Sequence, residues 1–194
     1  TQMNILPVIY QDQRTVFKIA DIAMLFPQED SRYLSDRMRY FVKTDRLLNP
    51  RKGIYAKPNY NPLELGNILY TPSYISLEYV LQISGVIFQY DTRITSVSYL
   101  SRELTIDDRL FSYRRIKQDI IMEGAGIFRD SHHVNMAMPE RAFLDILYLN
   151  KDFYFDNLEP LDKHKIDKII PAYKSISLQK RVHKLFYDAG YKQA

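Results

Sequence analysis

The sequence predicts an α+β protein built in two units. Three observations carry this. Near the N-terminus, two stretches repeat apolar residues at helical spacing and lead into a turn-rich hairpin signal. At residues 57–67, two prolines, three asparagines and a glycine cluster and break the pattern. Beyond that break, short β-like runs alternate with amphipathic segments up to the C-terminus. The expected units are residues 1–61, two short helices and a hairpin, and residues 62–194, a mixed domain with a mostly antiparallel sheet and packed helices.

Composition narrows the class. A chain of 194 residues suffices for one large domain or two small ones, and 46% hydrophobic with 26% charged residues is ordinary for a globular protein. No apolar run reaches the roughly 18 residues that a membrane span needs. The opening TQMNILPVIYQ reads as lacking the basic and apolar regions of a signal peptide. Cysteine is absent, which excludes a disulfide framework and thiolate metal ligation. The expected location is the cytoplasm, with no membrane partner. Charge divides along the chain: residues 1–60 hold ten Lys/Arg against six Asp/Glu, residues 61–160 nine against fourteen, and residues 161–194 eight against three. Basic ends around an acidic middle point to a polyanion partner.

In the first unit, Pro7 interrupts what would otherwise be an opening helix. RTVFK, residues 14–18, reads as a short strand. Ile19, Ile22, Ala23 and Phe26 recur at helical spacing until Pro27 stops them. A second helix is expected over residues 31–43, with Ser31 as its N-cap. At 100° per residue, Leu34, Met38 and Phe41 form one stripe with Val42 on its flank, while Arg32, Asp36, Arg39 and Lys43 lie opposite. Asp36 has Arg32 and Arg39 within one turn as pairing partners. Thirteen residues rise about 20 Å, enough to lie in a DNA major groove. Then come Leu47-Leu48, a turn over residues 49–53, and Ile54-Tyr55-Ala56. Gly53 supplies positive φ, and Arg51 and Lys52 are expected at the hairpin tip. Two helices, the second cationic outside, followed by a basic-tipped hairpin, follow the order of a winged helix-turn-helix.

In the second unit, residues 76–84 read as a helix closed by Gly85. Residues 94–100, 104–106 and 110–116 are β-like, and another strand is expected around residues 134–138. Pro139 sits at a helix N1 position with Glu140 in the first turn, and Ala142, Phe143, Ile146 and Leu147 make the buried stripe. Helices over residues 162–170 and 177–189 follow, the last closed by Gly190.

Three segments of this unit carry a resemblance: TPSYISLEYVLQISGVI at residues 71–87, FSYRRIK at residues 111–117 and PERAFLDILYL at residues 139–149. In this order, behind a winged helix, they resemble the AbiEi family of antitoxins from bacterial abortive-infection, phage-defence systems. The resemblance covers about residues 15–150. Met138 departs from it, standing where relatives often place a capping Ser or Thr. The resemblance implies an antitoxin that represses its own operon by binding operator repeats. Its partner would be an AbiEii-like nucleotidyltransferase toxin, with no stable complex required. It also implies that the second unit is needed for antitoxicity.

The residues expected to meet double-stranded DNA are Arg32, Ser35, Arg39 and Lys43 on the helix, and Arg51 and Lys52 on the wing. Arginine can grip guanine O6 and N7, Ser35 can reach a phosphate or base edge, and Lys43, Arg51 and Lys52 suit phosphate. Four neutralised phosphates give a log–log salt slope of about −3.6. Lys163, Lys165, Lys168, Lys180, Arg181 and Lys184 form a second basic surface, or else a solvated outer face. His132 and His133, read at the mouth of a strand, would point to opposite faces and not chelate one metal. Asp107 and Asp108 follow the same logic, and Arg114 and Arg115 are expected to split, one inward to a carboxylate. Asp145 is expected to hydrogen-bond a neighbouring strand or loop. GAG at residues 124–126 is too short for a phosphate fingerprint. With no P-loop, HExxH or nucleophile–base pair, no enzyme activity, cofactor or metal is expected. Two alternatives are a nucleic-acid-processing enzyme with a winged-helix clamp, marked by a metal-binding carboxylate cluster, and a protein-interaction module.

Overall fold

The computed structural model describes residues 4–190. The chain opens with helix α1 (Ile5–Gln11), strand β1 (Val16–Lys18), helices α2 (Ile19–Leu25) and α3 (Ser31–Lys43), and strands β2 (Leu48–Arg51) and β3 (Ile54–Ala56). Pro7 does not interrupt α1. The helix starts at Ile5, so Pro7 falls in its first turn, where the amides have no helical partners to lose. The N-cap of α3 is Asp30 and not Ser31: its carboxylate accepts from the amides of Arg32 at 2.8 Å and Tyr33 at 3.3 Å. The three strands form one antiparallel sheet in the order β1-β3-β2. The hairpin turn is tighter than the expected five residues. Arg51 faces Ile54 in register, leaving Lys52 and Gly53 at the bend, with Gly53 at φ 77°. Asn49 stiffens it by donating Nδ2 to the carbonyls of Arg51 at 2.8 Å and Ile54 at 2.7 Å.

Strand alternation then splits this small sheet between two cores. Phe17 and Tyr55 face a cluster with Ile5, Ile9, Ile22, Phe26, Leu34, Met38, Phe41 and Leu47. Val16, Ile54 and Ala56 face the larger cluster built from the rest of the chain. The seam is polar. Glu64 accepts from the amides of Thr15 at 2.7 Å and Val16 at 3.2 Å, and Thr15 Oγ1 accepts from the Asn61 amide at 2.8 Å.

The remainder holds α4 (Pro62–Leu69), β4 (Ser73–Ile75), α5 (Glu78–Ile83), β5 (Ile94–Ser98), β6 (Arg102–Ile106), β7 (Arg109–Arg115), α6 (Gln118–Met122), β8 (Ile127–Arg129) and β9 (Asn135–Ala137). It ends with α7 (Pro139–Leu149), α8 (Lys163–Ile169), a 3₁₀ turn (Ile170–Tyr173) and α9 (Ile176–Asp188). The sheet order is β6-β7-β5-β4-β9-β8. It is mixed: β4–β5, β6–β7 and β8–β9 are antiparallel, while β5–β7 and β4–β9 are parallel. Helix α4 occupies the stretch expected as a break. Asn61 caps it and Pro62 occupies its first turn, so residues read as turn formers serve as start signals. The helix expected over residues 76–84 is shorter. Residues 73–75 pair with β5, Leu77 at φ 61° redirects the chain, and α5 starts at Glu78. Gly85, at φ 73°, follows α5 as expected. Helix α7 is buried almost all round, with Glu140, Arg141 and Asp145 inside beside the apolar stripe. Among the described residues, no helix is long and apolar enough to cross a membrane.

Candidate nucleic-acid interface

Helix α3 is fixed from behind. Leu34, Met38 and Phe41 are at most 2% exposed, which locks the rotation of the helix about its axis. The opposite side, about 100° wide, carries Arg32, Asp36, Arg39 and Lys43, all exposed, with half-buried Ser35 at its edge. Arg32 and Lys43 have no side-chain partner among the described residues. Arg39 Nη1 donates to Asp36 Oδ1 at 3.0 Å, and both side chains stand mostly in water. Such a pair is worth at most about 1 kcal/mol, so a phosphate or a base edge can displace Asp36. Ser35 Oγ donates to the Ser31 carbonyl at 2.9 Å, so its hydroxyl proton already serves the helix backbone. Arg37, on the flank, lies over the rings of Tyr40 and Phe41 at 5.1 and 5.0 Å.

On the hairpin, Lys52 is exposed at the bend. Arg51 lies one residue earlier, within β2, and its guanidinium sits 5.3 Å from the Tyr70 ring centroid. Tyr70 in turn meets Tyr113 edge-on at 4.8 Å, and Tyr113 Oη donates to the Gly66 carbonyl at 2.6 Å. Arg51 therefore stays exposed beside the bend while its guanidinium packs against Tyr70.

The C-terminal cations divide in the same way. Lys163 pairs with Asp167 at 3.0 Å along α8, and Arg181 Nε donates to the Ser177 carbonyl at 3.3 Å. Lys165, Lys168, Lys180 and Lys184 are exposed on α8 and α9. His132 and His133 lie in the turn between β8 and β9 and not in a strand, with His133 at φ 61°. Asp107 and Asp108 form the β6–β7 turn, both at positive φ, and Asp107 accepts from Tyr60 Oη at 2.6 Å. Arg114 reaches the buried Glu78 carboxylate while Arg115 faces out, the split expected from the sequence.

A polar cluster that composition concealed sits at the centre of the larger core. Asp145 is fully buried and accepts from Tyr74 Oη at 3.0 Å, Ser76 Oγ at 2.8 Å and Tyr173 Oη at 2.5 Å. Arg141, also fully buried, lies 3.4 Å from Asp145 and donates to the carbonyls of Ile120, Glu123 and Ala125. Burial pushes the Asp145 carboxyl above its ordinary range, against the pull of Arg141 and the three hydroxyls. Burial likewise raises the Tyr74 and Tyr173 phenols well above theirs. The expectation that Asp145 bonds a neighbouring strand holds through Tyr74 on β4. The sequence signal for its partner was the i, i+4 spacing of Arg141 and Asp145 in an otherwise apolar helix. Among the described residues, no group of three or more His, Asp or Glu side chains could hold a metal ion. No protein-family model matches the chain, and no curated protein matches it either.

Proposed function

We propose that the protein is a DNA-binding antitoxin that represses its own operon, and that its first 61 residues act as a winged helix-turn-helix. The order of elements supports the second part: a helix, a strand, two helices, and two strands that join the first in one antiparallel sheet. One observation carries the DNA reading. Helix α3 is anchored by Leu34, Met38 and Phe41 and turns Arg32, Arg39 and Lys43 outward on the opposite side. The antitoxin part rests on the resemblance of residues 71–87, 111–117 and 139–149 to the AbiEi family. On this reading the partner is an AbiEii-like nucleotidyltransferase toxin, met in the cytoplasm, and the chain itself carries no catalytic activity.

Fluorescence anisotropy of the full chain on repeats upstream of its operon and on scrambled duplex, at several salt concentrations, tests the reading. Arg32, Arg39, Lys43 and Lys52 together give an expected log–log slope of about −3.6 per protomer. Arg39→Ala costs about 1–3 kcal/mol on the repeats and relaxes specificity. Lys52→Ala weakens both duplexes alike and flattens the slope by about 0.9. Equal losses on both duplexes for Arg39→Ala reject its base-reading role, and absence of binding at low salt rejects the DNA reading.

A further inference from the structure

The parallel strands β5 and β7 end side by side, with Ser98 opposite Arg115. From Ser98 the chain passes through residues 99–101 to β6, which lies on the far side of β7. This crossing is pinned to the end of β7. The Ser98 carbonyl accepts from the Ile116 amide at 3.1 Å, and Ser101 Oγ accepts from the Arg115 amide at 3.0 Å. A cleft of about 330 Å³ opens beside it. Tyr99 lines it from the crossing, Arg115 to Gln118 from the end of β7 and the start of α6, and Tyr148 from the last turn of α7.

The lining combines two cations, two phenol rings and one amide around the buried Ile116, and it holds no carboxylate. The side chains of Arg115 and Lys117 are exposed and have no partner among the described residues. Asp119, two residues on, stands 4.0 Å from Lys174 and not in the lining. The rings are placed as platforms. Tyr148 packs on Tyr173 at 5.6 Å, and Tyr173 Oη donates to Asp145 at 2.5 Å, so the buried clasp braces that ring from behind. Tyr99 is 46% exposed. Paired cations suit a phosphate, and a phenol face suits a planar base by stacking. A phosphate alone would use neither ring, and an aromatic molecule alone would use neither cation. The volume lies at the small end of the roughly 300–1,000 Å³ range of small-ligand sites, room for one nucleotide and not for a run of them.

We propose that this cleft binds a free nucleoside monophosphate, its base stacked on Tyr99 or Tyr148 and its phosphate held by Arg115 and Lys117. This does not rest on the operator-binding reading. The test is calorimetric titration of the full chain with adenosine 5′-monophosphate and with ribose 5-phosphate, at ionic strength held constant with chloride. Saturable binding of the nucleotide is expected, with ribose 5-phosphate at least about fivefold weaker because it lacks the stacked base. Arg115→Gln and Lys117→Gln should each weaken nucleotide binding about tenfold or more, the loss of one charge-assisted hydrogen bond. The double variant Tyr99→Leu, Tyr148→Leu, with its fold checked by a urea midpoint, should bind the two ligands alike. Lys165→Gln, on the exposed side of α8, should bind like the parent. Absence of saturable heat overturns the proposal, as does equal affinity of the parent for the two ligands. An equal loss in Lys165→Gln overturns it too, by marking general screening. It also fails if an eight-residue thymidine strand binds through Arg115 and Lys117 while the mononucleotide does not, since the cleft then belongs to a strand path. Duplex binding by the parent chain is scored separately, so either reading can fail alone.

Discussion

Helices α3 and α7 each carry an arginine and an aspartate one turn apart, in opposite surroundings. Arg39 and Asp36 meet at 3.0 Å with side chains 75% and 59% exposed. Arg141 and Asp145 lie 3.4 Å apart with neither exposed. Water screens the first pair, so its charge stays available to a partner. The second pair has lost its water and is held by Tyr74, Ser76, Tyr173 and three backbone carbonyls. Its charge is consumed in tying α7 to β4, to the segment around α6 and to the 3₁₀ turn. The same two residue types thus leave an exposed, displaceable pair in one helix and make a structural clasp in the other, and burial alone decides which.

The largest expected effect follows from the clasp. Asp145→Ala leaves Arg141 buried and unpaired, and strands the hydroxyls of Tyr74, Ser76 and Tyr173. Breaking a buried pair from one side costs about 3–5 kcal/mol, so the urea midpoint should fall steeply or the chain should fail to fold. A loss under about 1 kcal/mol would place Asp145 in contact with water and undo the contrast with α3.

The next effect tests the anchor of α3. Met38 is fully buried beneath the cationic face, and Met38→Ala should cost about 2–5 kcal/mol by deleting packed volume. If the outer face of α3 meets DNA, affinity per folded molecule should drop too, because the helix loses the contact that sets its rotation. If stability falls while binding by the folded fraction is unchanged, the outward cations do not depend on that rotation.

Legibility from sequence follows the same contrast. Helix α3 could be read because its apolar and charged residues separate cleanly by period, and its faces emerged as expected. Helix α7 could be read as a helix with Asp145 as a hydrogen-bonding residue inside it, but the particular partners of that carboxylate could not. Tyr74 and Tyr173 lie 71 and 28 positions from Asp145, and local periodicity carries no such information. Residues 76 and 77 were read as the start of a helix, but β4 precedes them and Leu77 at φ 61° turns the chain, so α5 begins only at Glu78. Asn61 and Pro62 were read as turn formers when they start α4. The contact of Arg51 with Tyr70 could not be read, because nothing in its neighbourhood in sequence announces that ring.

Two smaller clasps lie between these extremes and should show a pH dependence. Asp12 and Asp91 each chelate an arginine two residues on, at 2.7 and 2.6 Å. The side-chain hydrogen bonds of Arg14 and Arg93 hold both carboxyls below the ordinary range, against partial burial. A depressed folded value means the unfolded chain binds more protons, so this stabilisation is complete well above the unfolded pKa of about 3.9 and fades as pH falls through the folded value. Asp91→Asn should therefore be less stable than the parent at pH 7, by about 1 kcal/mol or less, and the gap should close as pH falls through the depressed folded value. Urea titrations at pH 7 and through the acid range measure it. A gap that persists undiminished in acid would assign the loss to the backbone contact with the Arg93 amide and not to charge.

The smallest effect on stability belongs to Asp36→Ala, and it separates the two helices most sharply. Removing an exposed carboxylate should change unfolding free energy by no more than about 0.5 kcal/mol. The same change deletes the one negative charge on a face that otherwise presents Arg32, Arg39 and Lys43. It also frees Arg39 from its 3.0 Å partner. If that face meets DNA, affinity should rise on repeats and scrambled duplex alike, because the lost repulsion acts on phosphates whatever the bases. Stability and binding thus move independently at Asp36. At Asp145 stability should fall steeply, in a core separate from the one that anchors α3. Unchanged affinity in Asp36→Ala, with folding intact, would remove the outer face of α3 from the interface and leave Lys52 and the C-terminal helices to account for any DNA binding.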